Sequence, residues 1–306
     1  MPVAARGPRL RPARYGSLAA LAALVTSGCT SPADILNSFA PVSGIEVATS
    51  IPYATGARRT LDIYRPAQAA RAPVIVFFYG GSWQGGEKET YRFVASALAR
   101  RGYVTIVPDY RTFPDVRYPD FLRDSARALR WARNNAARFG GDPRRLYVMG
   151  HSAGAYNAAM LALDGRWLGE VGLSPRSSVA GLIGLAGPYD FLPLRDPKLI
   201  EIFGGANRRD TQPASYVAGR EPPALLMTGT FDTTVDPGNA TRLADRLRAH
   251  GNDVTVRHYP AVGHVTIVGA VAGPLRFLAP VLDDVDAFIV RTTTAQRVAR
   301  LMEAAE

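Results

Sequence analysis

Arg145-Leu-Tyr-Val-Met149, Gly150-His151-Ser152-Ala153-Gly154 and Ala155-Tyr-Asn-Ala-Ala-Met-Leu-Ala-Leu163 follow one another without a break, and the fold reading grows outward from them. The first run is short and apolar, as a buried strand is, and the stretch from Ala153 to Leu163 is made of small and apolar residues that suit a helix. A serine on the sharp turn between them takes a positive φ, and glycine on either side leaves room where a side chain would press on strand and helix. The Ser152 hydroxyl then projects above a sheet, with the Ala153 amide pointing at the same space. This context, more than the pentapeptide itself in a chain with 29 glycines, makes Ser152 a candidate nucleophile.

A serine hydroxyl is a poor nucleophile at neutral pH and needs a base, and the chain has four histidines. His151 stands beside Ser152 in the turn, with its side chain pointing away from the neighbouring hydroxyl. His250 closes an amphipathic run before Gly251, a helix C-terminus where a cation is favoured. His258 belongs to the alternating run Asp253-Val-Thr-Val-Arg-His-Tyr259, a strand, and is the rival for the role. His264 follows the turn-forming Tyr259-Pro-Ala-Val-Gly263, and a loop can carry a base over the serine of another strand. It is the expected base.

The acid that orients the imidazole is sought after the strand-like Pro223-Ala-Leu-Leu-Met-Thr-Gly229. Asp232 comes first there, in G-x-x-D-x-x-V-x-P; the competing Asp236 precedes Pro237 and has an ordinary role as a helix N-cap. A buried carboxylate on the imidazole Nδ1 fixes its tautomer and stabilises the imidazolium formed in proton transfer. The order Ser152, Asp232, His264 is that of the α/β-hydrolase arrangement. Donors for an oxyanion are expected from Tyr79-Gly80-Gly81-Ser82-Trp83-Gln84-Gly85-Gly86, which follows the apolar run Pro73–Phe78. The phosphate-loop pattern G-x-x-x-x-G-K is absent from it.

With Tyr79-Gly-Gly-Ser-Trp83, Gly150-His-Ser-Ala-Gly154, Gly229-Thr-Phe-Asp232 and Gly263-His264 in this order, the chain resembles an α/β-hydrolase of the bacterial esterase/lipase group, close to feruloyl-esterase-like carboxylesterases and arylformamidases. The likeness covers roughly residues 45–290. Carried over by position, it assigns the oxyanion hole to the amides of Gly81, Ser82 and Ala153. The group usually begins the loop with His where this chain has Tyr79, so a phenol contact takes over the bracing hydrogen bond. Ser82 stands where a third glycine is usual, which leaves its amide available and narrows the pocket. The resemblance implies a serine hydrolase of carboxylic esters with a small-molecule ester substrate and no cofactor. An arylformamidase-like amide hydrolase and a non-catalytic binding protein of the same fold are the alternatives.

The length of 306 residues and 47% hydrophobic composition suit one domain with a sheet buried on both faces. Strand-like runs at residues 60–64, 74–78, 104–107, 146–149, 179–185, 224–227 and 254–259 alternate with helical stretches at 87–100, 119–139, 153–163, 237–250 and 274–290. The alternation implies a mainly parallel central sheet with helices on both faces and right-handed crossovers. The domain is expected over residues 45–291, after a linker at 29–44 and before a C-terminal tail at 292–306. A Pro-, Gly- and charge-rich insertion at 187–223 is expected to cap the catalytic edge, and Trp83, Tyr156, Tyr189 and Phe191 either line its pocket or belong to the core.

Four arginines at positions 6, 9, 11 and 14, the apolar run Leu18–Val25 and Thr26-Ser-Gly-Cys29 read as an export signal over residues 1–28. The small residues before the single cysteine resemble a bacterial lipoprotein processing site with Cys29 acylated, although Thr26 stands where Leu is usual. The protein is therefore expected to be exported and lipid-anchored at the periplasmic side of the cell envelope; a periplasmic or secreted protein is the alternative. Without the signal's arginines the formal charge falls from +10 to +6. Arg123, Arg127, Arg130 and Arg133 recur every three or four residues as one solvated helix face, with contact to an anionic membrane the other reading. No aromatic-interleaved basic array points to nucleic acid. Asp62, Asp109 and Asp115 are dispersed, and no H-x-x-x-H spacing suggests a metal.

Overall fold

A computed structural model describes residues 31–40 and 42–303, so Cys29 and the expected export signal lie outside the described residues. The chain opens with helix α1 (Pro32–Ser38), held at its start by a reciprocal cap between Ser31 and Asp34 and by Pro32 in the first turn. Strands β1 (Ile45–Pro52), β2 (Thr60–Pro66) and β3 (Ala72–Phe78) lead to α2 (Arg92–Arg100), β4 (Val104–Pro108) and α3 (Asp120–Asn135). Then come β5 (Gly141–His151), α4 (Ala153–Leu163), the short α5 (Gly165–Gly169) and α6 (Pro175–Ser178), β6 (Gly181–Leu185) and α7 (Pro197–Phe203). The chain closes with β7 (Ala224–Gly229), α8 (Gly238–Ala249), β8 (Val254–Tyr259), α9 (His264–Gly269) and α10 (Val281–Glu303).

The eight strands form one sheet in the order β1-β2-β4-β3-β5-β6-β7-β8. β1 and β2 run antiparallel to their neighbours, and every pairing from β4 to β8 is parallel. β4, β6 and β7 are buried at every position, because a parallel sheet carries helices on both faces. On one face α2 reaches α10, where the Tyr103 hydroxyl donates to Asp286 at 2.7 Å and Arg101 pairs with the same carboxylate. On the other, α3 packs on α4. Every residue of α4 is buried, which accounts for an apolar composition with no polar stripe.

The seven expected strands are present, and β1 is an eighth that the sequence reading misses. Its pairing shifts between Ala48 and Ile51, and Ser50 sits at φ 55°, so burial falls on Ile45, Ala48 and Ile51 while Val47 is exposed. The helix expected at 274–290 is instead a 3₁₀ turn, Gly273–Leu278, followed by α10. α10 runs unbroken past residue 291, where the domain was expected to end, and α1 lies within the stretch expected as a linker. Arg123, Arg127, Arg130 and Arg133 share the outer face of α3; Arg123 pairs with Asp120 and Glu170, and Arg127 with Asp124.

Candidate active site

Ser152 ends β5 and starts α4 at φ 56°, a left-handed conformation that costs a non-glycine residue about 1–3 kcal/mol. The turn is held because its amide donates to the Leu185 carbonyl at 2.9 Å and its carbonyl accepts from Ala155 and Tyr156. Both flanking glycines are obligatory. A Cβ on Gly150 would stand 2.2 Å from the Gly154 carbonyl oxygen, and one on Gly154 would stand 2.0 Å from that of Phe78.

His264 is the first residue of α9 and Asp232 lies in the loop after β7; the structure brings both to Ser152. The carboxylate can only accept, so His264 Nδ1–H donates to Asp232 Oδ2 at 2.8 Å. That leaves Nε2 free to accept from the Ser152 hydroxyl, 2.9 Å away. The Asp232 side chain is fully buried. Its other oxygen accepts from the amides of Thr234 and Val235, each at 2.9 Å, so the carboxylate cannot turn.

The rivals lie elsewhere. His258 is exposed on β8, with Thr241 as its polar neighbour, and His250 caps the C-terminus of α8. Asp236 accepts from the Gly238 amide at the start of α8 and pairs with Arg242 at 2.9 Å, which together hold its carboxyl below the usual range.

The loop after β3 approaches the same hydroxyl. Gly81, at φ 134°, has a place for a Cβ only 2.3 Å from the Gly85 carbonyl oxygen, so no other residue fits. Ser82 and Trp83 follow at φ 52° and 57°. Ser82 and Ala153 line the cavity above Ser152, and their amides donate to no acceptor among the described residues.

The expected phenol contact is present and goes further than a simple replacement for His. The Tyr79 hydroxyl donates to Asp109 at 2.8 Å and accepts from Arg58 at 3.0 Å, while Arg58 also donates to the Gly86 carbonyl. Asp109 takes the Lys88 amide at 3.0 Å, and the buried Lys88 ammonium lies 3.4 Å from Asp62. Two aspartates that look dispersed in the sequence thus converge on one lysine beneath the loop. Nothing local in the sequence signals this, because the partners come from β2, from the residue after β4 and from the loop.

The cavity above Ser152 measures about 570 Å³. Trp83 and Phe191 form part of its wall, stacked with ring centres 6.4 Å apart, and the Trp83 indole is fixed by Asn157 at 3.0 Å. Tyr156 and Tyr189 belong to the core at 0% exposure. The segment expected as a cap supplies Pro188, Phe191, Leu192, Pro193 and Leu199 to the apolar wall, with Arg195 and Asp196 at the rim. Among the described residues no three His, Cys, Asp or Glu side chains converge as metal ligands, and no helix is long and apolar enough to cross a membrane.

Residues 61–247 match the protein family described as BD-FAE. The chain is 30% identical to Esterase LipC of Mycobacterium tuberculosis over 72% of its own length and 61% of that protein's. It is 29% identical to isoprenylcysteine alpha-carbonyl methylesterase ICME of Arabidopsis thaliana over 72% and 57%. The chain therefore spans about six-tenths of the length of these curated relatives. Among solved structures, esterase 2 of Thermogutta terrifontis phosphonylated by sarin is 26% identical with a TM-score of 0.68, over 81% of this chain and 95% of that one. Esterase B of Lactobacillus rhamnosis, at 21% identity and a TM-score of 0.74 over 93% and 96%, shares the fold.

Proposed function

Because the chain belongs to the BD-FAE family and has the α/β-hydrolase fold, we propose that it is a carboxylesterase working through Ser152, His264 and Asp232. The observation that carries the reading is the unbroken line Asp232–His264–Ser152, with hydrogen bonds of 2.8 and 2.9 Å, beneath free amides of Ser82 and Ala153. In the first half-reaction His264 takes the hydroxyl proton as Ser152 Oγ attacks the ester carbonyl, and Asp232 stabilises the imidazolium. The amides of Gly81, Ser82 and Ala153 hold the oxyanion; a donor fixed in advance is worth about 3–4 kcal/mol because nothing reorganises as charge develops. The ester bond breaks, the alcohol leaves with the proton from His264, and water repeats the cycle on the acyl-enzyme.

The apolar wall beside Ser152 suits a short acyl or small aromatic group. Propionate- and butyrate-bound forms of the Thermogutta terrifontis esterase support the short acyl choice. For the N-terminal segment we propose export and lipid anchoring through Cys29, at the periplasmic side of the cell envelope.

A fluorophosphonate followed by mass mapping tests the nucleophile. One adduct is expected, on Ser152, and none in Ser152→Ala; an adduct elsewhere refutes the assignment. A panel of short-chain esters beside an aryl formamide, run on purified protein, ranks the substrate classes, and preference for the formamide would displace the ester reading.

A further inference from the structure

A second chain of hydrogen bonds runs beside the Ser–His–Asp line, and acyl transfer makes no use of it. His151, 4% exposed, points away from Ser152 and under His264, with the two rings 5.0 Å apart. Its Nε2 lies 2.9 Å from the backbone carbonyl oxygen of His264. A carbonyl only accepts, so Nε2 carries the proton and donates. Nδ1 of the neutral ring is then the acceptor, and the Tyr91 hydroxyl stands 3.4 Å from it. The Tyr91 ring stacks in turn on that of Tyr79, at the start of the oxyanion loop, with ring centres 5.9 Å apart. Gly80 packs on the His151 ring: a Cβ there would stand 3.1 Å from His151 Nδ1 and 3.0 Å from Ser152 Cβ.

We propose that His151 is a positioning residue, which pins the backbone of the base through its Nε2–H bond to the His264 carbonyl and ties that backbone to the oxyanion loop through Tyr91. The inference rests on the esterase reading. His264 is the first residue of a six-residue helix whose start is capped at Gly263 by Thr266, and of His264 itself Asp232 grips only the ring. Without a hold on the backbone the imidazole can pivot about Asp232 and lose its line to Ser152. A misplacement of about 1 Å at a reacting group costs about a hundredfold in rate.

The hold must also be uncharged, because a cation 5.0 Å from the imidazolium forming on His264 would oppose it. The groups facing His151 are Tyr91, His264 and, through His264, Asp232. Burial, reinforced by His264, pushes the His151 ring down to about 4, so it donates as a neutral group at working pH.

The test uses the full-length protein, with His151→Leu, which cannot donate, and His151→Gln, whose amide nitrogen reaches about as far as Nε2. Turnover of p-nitrophenyl acetate, the melting temperature and the low-field proton resonance of His264 Nδ1–H are recorded for each. For His151→Leu, kcat should fall about ten- to a hundredfold with KM within about twofold, and the low-field resonance should broaden. His151→Gln should recover most of kcat and a sharp resonance, and it also serves if the leucine variant does not fold. Unchanged kcat in His151→Leu overturns the proposal, as does failure of the glutamine variant to recover either readout while it melts like the wild type. Ser152→Ala keeps the two ideas apart: if it retains full turnover the esterase reading fails, and the resonance still reports on whether His151 holds His264.

Discussion

Replacing Asp232 by Asn changes almost no volume and leaves the outcome to the direction in which the new amide faces. Oδ1 accepts from the amides of Thr234 and Val235, so the carboxamide oxygen must stay there. Turning it round sets an NH₂ group against two part-buried N–H donors, and at about 1–3 kcal/mol per unsatisfied donor this costs about 2–6 kcal/mol. The nitrogen therefore faces His264 and donates to Nδ1. The ring must then carry its proton on Nε2, the wrong tautomer to accept from Ser152.

Only molecules with the reversed amide retain a competent base. Their fraction, at 1.4 kcal/mol per decade, is between about one in thirty and one in twenty thousand, and kcat should fall by the same factor. Asp236→Asn, by contrast, loses a helix-start contact of about 1 kcal/mol in stability and little turnover. Steady-state hydrolysis of p-nitrophenyl acetate by both variants, beside thermal melts to show that each is folded, measures this. An Asp232→Asn enzyme that keeps more than about a tenth of wild-type kcat, or an Asp236→Asn enzyme that is the worse of the two, refutes the reasoning.

Gly154→Ala should destabilise despite its helical site: propensity favours Ala by about 1 kcal/mol, but a Cβ 2.0 Å from the Phe78 carbonyl forces backbone apart, a net loss of about 3 kcal/mol or more visible as a melting drop of about 6 °C or more. A variant at least as stable as wild type sinks that account. The depressed pKa of His151 means that between about 6.5 and 4 the unfolded chain holds a proton the folded chain refuses, so stability is full above this window and declines as pH falls through it, by on the order of 3 kcal/mol at its lower end. Denaturant titrations at pH 7 and pH 4.5 should show the decline, with a smaller one in His151→Gln; equal slopes in both proteins would count against it. The full chain expressed in a bacterial host with a radiolabelled fatty acid should take up label and sediment with membranes, both lost in Cys29→Ser, whereas soluble unlabelled protein from the unmodified chain rules the anchor out.

The sequence was most legible where a constraint is local. The Ser152 turn needs glycine at residues two before and two after it, so its geometry is written in five consecutive letters. Asp232 and His264 are legible because a parallel sheet puts the loops after successive strands at one edge. β1 escapes because it is a half-exposed edge strand whose middle, Ala48-Thr49-Ser50, carries no large apolar residue, and α1 because a cap of Ser31 and Asp34 can hold seven residues with no buried side chain. The sequence shows His151 only as a neighbour of the serine; its partners are a backbone carbonyl 113 residues away and the Tyr91 hydroxyl. A bond to a backbone atom leaves no residue type at the other end to recognise. The lysine beneath the loop after β3 escapes similarly, since Asp62, Lys88 and Asp109 meet only once the sheet has formed.

The division of the cavity wall has an evolutionary consequence. Nearly half of the residues around the cavity come from the single stretch Pro188–Leu199, none of which takes part in proton transfer or in holding the oxyanion. That stretch is fastened to its surroundings by two carboxamides: Asn239 takes the amides of Tyr189 and Asp190, and Gln212 takes that of Phe191. Mutations past these fastenings, from Leu192 to Leu199, change the cavity wall without touching Ser152, His264 or Asp232. Selection on what the cavity admits can therefore retailor Leu192–Leu199 while Asn239 and Gln212 keep the stretch in place and the residues around Ser152 are inherited intact.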